Sequence, residues 1–369
     1  MKSLKKFFTF ILCLIMILSL HIPSLAADNA LNKGPYIITK PVPNEAVQHT
    51  RKTIGNLLAD LYSLDSVSIG KPFTVEGHSV DLYYFLVYNE KKLVGNYRVF
   101  LKNDGNYSGI FSESPEWLNE IEYLQTETSE NNPAKIVVGD YEDVYAITSN
   151  SIIPIIEDPY GNTTNVFNSD ELTLSSQNEY EIVDVSEEIT FDIPLQTFAT
   201  NSNYLQIGWD ETQGSLPWCS AYATASICRY VTGKSLSQIS ARSIMEWTFP
   251  DLTYTELKKE GLSMTNAIKY GEEEGLSPIR KKSTLTWSAV QKEIDADRPI
   301  YFAFDNITTG KINAHAMVCR GYGGSSGDPF YSIWNPWNRY YERVYASDDT
   351  YFSEAGEEFE YAETIYNWG

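Results

Sequence analysis

Four residue types, taken in chain order, supply the parts for covalent catalysis: Gln213, Cys219, His315 and Asn335. Cys219 follows the rigid Leu216-Pro217-Trp218. It opens an apolar, small-residue stretch running to Val231, so the thiol stands at the N-terminus of an expected helix. Unpaired backbone N–H groups and the helix dipole favour a thiolate there. The chain has four histidines, His21, His49, His78 and His315, and only the last lies beyond Cys219. Asn335 follows in Trp334-Asn335-Pro336-Trp337, and Gln213 precedes the cysteine by six positions. The set offers an oxyanion donor, a nucleophile, a base and a group to orient the base.

The chemistry this set can do is acyl transfer. A free thiol with a pKa near ~8.5 is only slightly ionised at neutral pH. A helix N-terminus and a neighbouring imidazolium lower that value. Asn335 would accept from one ring nitrogen of His315 and fix its tautomer, and Trp337 would keep water off that bond. The Gln213 side chain and the Cys219 backbone N–H would stabilise the oxyanion, each such donor lowering the barrier by roughly 3 kcal/mol. Each residue alone has a plainer reading: a packed thiol, a structural histidine, a surface glutamine, an Asn-Pro turn. Their joint order on compatible elements points to catalysis. Glu272-Glu273-Glu274 reads as a solvated helix face.

The elements that must position these residues differ between the two halves. Ile54, Leu57, Leu58 and Leu61 have helix spacing after Asn44. Segments 81–88, 93–101 and 107–111, split by polar turns, read as a β-meander. Ser114-Pro115 starts a short helix to about 124, and two strands follow near 134–138 and 144–156. Residues 168–202 are rich in Ser, Asn, Asp and Glu and read as exposed connection with a few short strands. Helices are expected at 219–231, 235–246 with Ser235 as cap, 263–274 with Ser263 as cap, and 286–296. Strands are expected from 298 to 304, 315 to 322, 330 to 335, 340 to 345 and 360 to 368, with Gly321–Gly327 as a hairpin loop. Helices followed by strands imply an α+β fold, with thiol and imidazole facing each other across a cleft.

Composition narrows the class. Lys2, Lys5 and Lys6 precede an apolar run from Phe7 to Leu20, and small residues follow at 24–27. This is an export signal, too short to span a bilayer comfortably. Residues 28–369 are long enough for two domains, split near 196/197. A net charge of −21 argues against nucleic acid and anionic membrane as partners. Cys13 leaves with the signal. The remaining Cys219, Cys228 and Cys319 make no disulfide framework and offer no close pair for zinc, so no metal or cofactor is expected.

Gln213 to Ala223 with its Pro217-Trp218-Cys219-Ser220, His315-Ala316-Met317-Val318 leading to Gly321-Tyr322, and Trp334-Asn335-Pro336-Trp337 resemble the papain superfamily. The compact second half and the long preceding region look most like the staphopain-type secreted peptidases of Gram-positive bacteria. Ser220 departs from the Trp that plant and lysosomal members carry after the cysteine. The resemblance implies a papain-like α+β catalytic domain at 197–369 and a β-rich propeptide at 28–196 that folds separately, lies across the cleft and inhibits. It implies a secreted, monomeric cysteine endopeptidase made as a zymogen and acting on proteins or peptides. Two other functions fit the same parts: a cell-wall peptide amidase, and an inert secreted binding protein using the meander at 80–112.

Overall fold

The computed structural model describes residues 34–77, 80–138, 144–156, 180–189, 201–307, 314–324, 327–353 and 357–369. The expected export signal lies outside these residues, as does most of the polar seam between the halves.

Helix α1 (Asn44–Leu58) buries Ile54, Leu57 and Leu58, as their spacing requires. Leu61 falls beyond the helix end and is exposed, so the apolar stripe stops one turn earlier than the pattern suggests. Strand β1 (Val67–Gly70) leads into the meander β2 (Leu82–Asn89), β3 (Lys92–Leu101) and β4 (Tyr107–Ser112). Helix α2 (Pro115–Glu127) follows where Ser114-Pro115 indicates. The stretch expected as a single strand over 144–156 is a hairpin, Val144–Ile147 and Ile152–Ile156. The Thr148 side chain accepts from the backbone of Asn150 and Ser151, a local turn bond that competes with an extended chain. These strands join Glu181–Asp184, Tyr36–Thr39 and Ala134–Val138 in a separate five-stranded sheet.

The second half places its helices first. Helix α3 (Cys219–Thr232) starts at the thiol and ends at Gly233, whose φ of 69° is the left-handed conformation of a helix stop. Helix α4 (Ala241–Thr248) begins later than its expected start at 235. Ser235 makes a local turn with Gln238, and Ser240 is the cap, bonded to the Ser243 backbone N–H while the Ser243 hydroxyl closes the box. Helices α5 (Met264–Glu273, capped by Ser263) and α6 (Trp287–Asp295) fall where expected. Strands β5 (Ile300–Asn306), β6 (Ala314–Gly324), β7 (Pro329–Trp334), β8 (Tyr341–Tyr345), β9 (Thr350–Phe352) and β10 (Glu358–Tyr366) complete the sheet. Gly321 to Gly324 continue β6 rather than forming a loop. At Gly321 a Cβ would come within 2.6 Å of the Asn203 carbonyl, so glycine there serves close strand pairing.

The two halves share one sheet. Its order is Glu188–Ile189, β1, β2, β3, β4, β8, β7, β6, β5, β10, Ile279–Lys281. The join is antiparallel pairing of β4 with β8, with Ser112, Phe111 and Ile110 opposite Glu342, Arg343 and Val344. The main apolar core also crosses it, with Tyr84 and Phe100 in the same cluster as Trp334 and Phe352. Among the described residues no helix is long and apolar enough to cross a membrane.

Candidate active site

Cys219 is the first residue of α3. No side-chain cap from Trp218 occupies the free N–H groups of the first turn. Trp218 is buried and its indole N–H donates to the Leu257 carbonyl at 3.2 Å, which anchors the residue before the thiol. Ser220 accepts from the Tyr301 hydroxyl at 2.9 Å and so ties α3 to β5. Opposite the helix, β6 carries His315, which is 2% exposed.

The hydrogen bonds around His315 have fixed directions. Its Nε2 lies 2.8 Å from Asn335 Oδ1. The Trp337 backbone N–H, which can only donate, reaches the same Asn335 atom at 3.1 Å. That atom must therefore be the amide oxygen, and His315 must carry its proton on Nε2. Nδ1 is left with its lone pair and has no hydrogen-bond partner among the described residues. The Trp337 ring stacks on the imidazole, centroids 3.9 Å apart and planes at 11°. It shields the His–Asn bond, and Phe359 packs on the ring at 5.4 Å.

The thiol lies beside the start of β6, the strand that carries His315. The Ala316 backbone, one residue past His315, hydrogen-bonds toward the Cys219 sulfur and favours its thiolate. Burial acts the other way and prevails. It pushes the Cys219 thiol up, against the pull of the Ala316, Ser220 and Cys219 amides. It also pulls His315 down to about 4, although the Asn335 bond favours the charged ring. Desolvation thus works against the charged form of both groups, while the local amides favour the thiolate and the Asn335 bond favours the charged ring.

Gln213 is buried beside this pair, and its backbone N–H donates to the Pro336 carbonyl at 2.8 Å. The glutamine loop is thereby tied to the asparagine loop. One side-chain N–H donates to the Leu216 carbonyl at 2.5 Å, which holds the amide within its own loop. Gln213, Cys219, His315 and Asn335 therefore converge between α3 and β6. Cys228 and Cys319 are fully buried, free thiols that pack as small apolar residues. Among the described residues no group of three His, Cys, Asp or Glu could hold a metal ion.

Sequence reasoning missed Tyr351 and Glu342. Asn335 Nδ2 donates to the Tyr351 hydroxyl at 2.9 Å, and that hydroxyl donates to Glu342 Oε2 at 2.7 Å. A signal did exist. Glu342-Arg343 is a charged pair inside the aromatic strand Tyr340 to Tyr345, and charge at such a position needs buried partners.

Residues 199–368 match the staphopain peptidase C47 family. Staphopain A of Staphylococcus aureus (strain MRSA252) is 22% identical over 336 residues, covering 82% of this chain and 80% of its own. An extracellular cysteine protease of Staphylococcus epidermidis (strain ATCC 12228) is 20% identical over 375 residues, covering 95% of this chain and 93% of its own. A solved chain from work on the mite allergens Blo t 1 and Der p 1 is 17% identical over 43% of this chain and 67% of its own, with a TM-score of 0.30.

Proposed function

We propose that this chain, a cysteine peptidase and so a hydrolase, with a papain-like α+β second half that matches the staphopain family, is a secreted endopeptidase made as a zymogen. Its working residues are Cys219, His315, Asn335 and Gln213. The observation that carries this reading is the fixed polarity at His315. The Trp337 N–H makes Asn335 an acceptor, Asn335 makes Nε2 a donor, and Nδ1 is left as a base on the side opposite Asn335.

In this reading His315 Nδ1 takes the Cys219 proton, and the thiolate sulfur attacks the substrate carbonyl carbon. The oxyanion accepts from the Cys219 backbone N–H and from the Gln213 side-chain N–H that is not bonded to Leu216. The imidazolium then protonates the leaving amine, whose C–N bond breaks to give the acyl-thiol. Water attacks that acyl group with His315 as base, and the thiol is restored. Residues 28–196 are the propeptide and inhibitor in this scheme. The support is that the first half is joined to the second edge to edge, β4 against β8, in one continuous sheet.

The test compares purified 28–369 with its Cys219→Ala form under reducing conditions, with and without an epoxide thiol-protease inhibitor. Loss of the N-terminal half and cleavage of a denatured protein are followed on a gel. Cleavage only by the parent chain, stopped by the inhibitor, is the expected result. Equal cleavage by the Cys219→Ala form would overturn the assignment.

A further inference from the structure

We propose that Tyr351 and Glu342 are positioning residues for this reaction, holding the Asn335 amide in the one orientation that keeps His315 a base at Nδ1. The inference rests on the peptidase reading above. Its basis is a run of directed hydrogen bonds. Glu342 is fully buried, and its Oε1 accepts from Arg98 Nη2 at 2.6 Å and from Ser112 Oγ at 2.8 Å. Its Oε2 accepts from the Tyr351 hydroxyl at 2.7 Å. Having given its proton to Glu342, that hydroxyl can only accept from Asn335 Nδ2, at 2.9 Å. Asn335 in turn accepts from His315 Nε2. A carboxylate therefore fixes the Asn335 amide from its Nδ2 side, as the Trp337 N–H fixes it from its Oδ1 side, and both act through Asn335 on the tautomer of the imidazole. Burial beside Glu342 holds the Tyr351 hydroxyl well above its ordinary value, so it remains a donor at every working pH.

Two of the three donors to Glu342, Arg98 and Ser112, come from the N-terminal half and lie on β3 and β4. Arg98 Nη2 also donates to the Phe352 carbonyl at 3.2 Å, next to Tyr351. The first half is thus bonded on both sides of the tyrosine that orients Asn335.

Tyr351→Phe removes one hydroxyl and keeps the ring. Glu342→Gln keeps the shape but exchanges one acceptor for an N–H donor. Arg98 requires the remaining oxygen, so the amide NH2 faces Tyr351 and takes away the acceptor of its hydroxyl. Two readouts separate positioning from packing. The first follows the Nε2 proton of His315 by 15N-histidine NMR in the full chain 28–369 carrying Cys219→Ala, where only His49 and His78 add signals. The second is kcat and KM on a peptide substrate with Cys219 intact.

The expected result in both variants is faster solvent exchange of the Nε2 proton and a kcat lower by about tenfold with KM unchanged. The proposal is overturned if both variants keep the parent exchange rate. It is equally overturned if exchange quickens while kcat holds, because the role is then structural. If the parent chain hydrolyses nothing, the peptidase reading falls on its own, and proton exchange at His315 still decides whether Tyr351 and Glu342 orient Asn335.

Discussion

His315 is held at Nε2 by Asn335 and by its stack on Trp337, and its burial makes its protonation costly. Its ordinary pKa of 6.5 falls to about 4 in the folded chain. Between those values the unfolded chain takes up a proton that the folded chain refuses. The stability this group contributes is full above pH 6.5, falls as pH drops, and levels off below 4. The span corresponds to about 3 kcal/mol. Urea unfolding of the Cys219→Ala chain at pH 7 and pH 4 checks it: His315→Gln should shrink the acid loss by about that amount, and an unchanged loss would refute the assignment. Trp337 acts at the same scale by its stack on the imidazole. Trp337→Ala admits water to the His–Asn bond, and kcat on a peptide substrate should fall roughly 10- to 100-fold with little loss of fold. Cys219, His315, Asn335 and the covering role of Trp337 were legible because each is a distinctive side chain at a fixed place along the chain. Tyr351 and Glu342 were not, because tyrosines are common here and only the fold brings β8 and β9 beside Asn335.

Elements show where local chemistry overrides pattern. Ser235 and Ser240 are both plausible caps by type. The chain chooses Ser240 because Ser243 sits three positions on and returns the bond. Ser235 spends its hydroxyl on Ser237 and Gln238 instead. Ser240→Ala should therefore cost about 1 kcal/mol and Ser235→Ala much less, read from chemical denaturation midpoints. The single turn Tyr254–Leu257 carries the same kind of box, Thr253 with Glu256, and escaped notice because it is too short to show a period. Most strands of the second half were legible from their aromatic and β-branched runs. Thr350–Phe352 and Ile279–Lys281 were not, since three residues show no alternation and owe their state to pairing with β10.

At the scale of the whole molecule, the change in character between the halves was legible and their union was not. Nothing in a linear pattern says that β4 will pair with β8, because pairing partners are set by three-dimensional register. The union is polar as well as apolar. Arg98 and Glu342 are fully buried, and Arg343 binds the Leu57 carbonyl and Asp60. Arg98→Met alone strands the Glu342 carboxylate and should cost about 3–5 kcal/mol, whereas Arg98→Met with Glu342→Leu should recover much of it. Urea unfolding of both forms on the Cys219→Ala background, with the arginine-only change no more costly than the pair, would show that the ion pair does not join the halves.

Separation of the halves would turn β8 from an interior strand into a border. Open borders invite other chains to add on, which is how soluble proteins begin to form fibrils. The charged pair Glu342-Arg343, opposite Ser112 and Phe111 while the sheet is whole, would then serve as gatekeepers, making the bared strand a poor template for copies of itself.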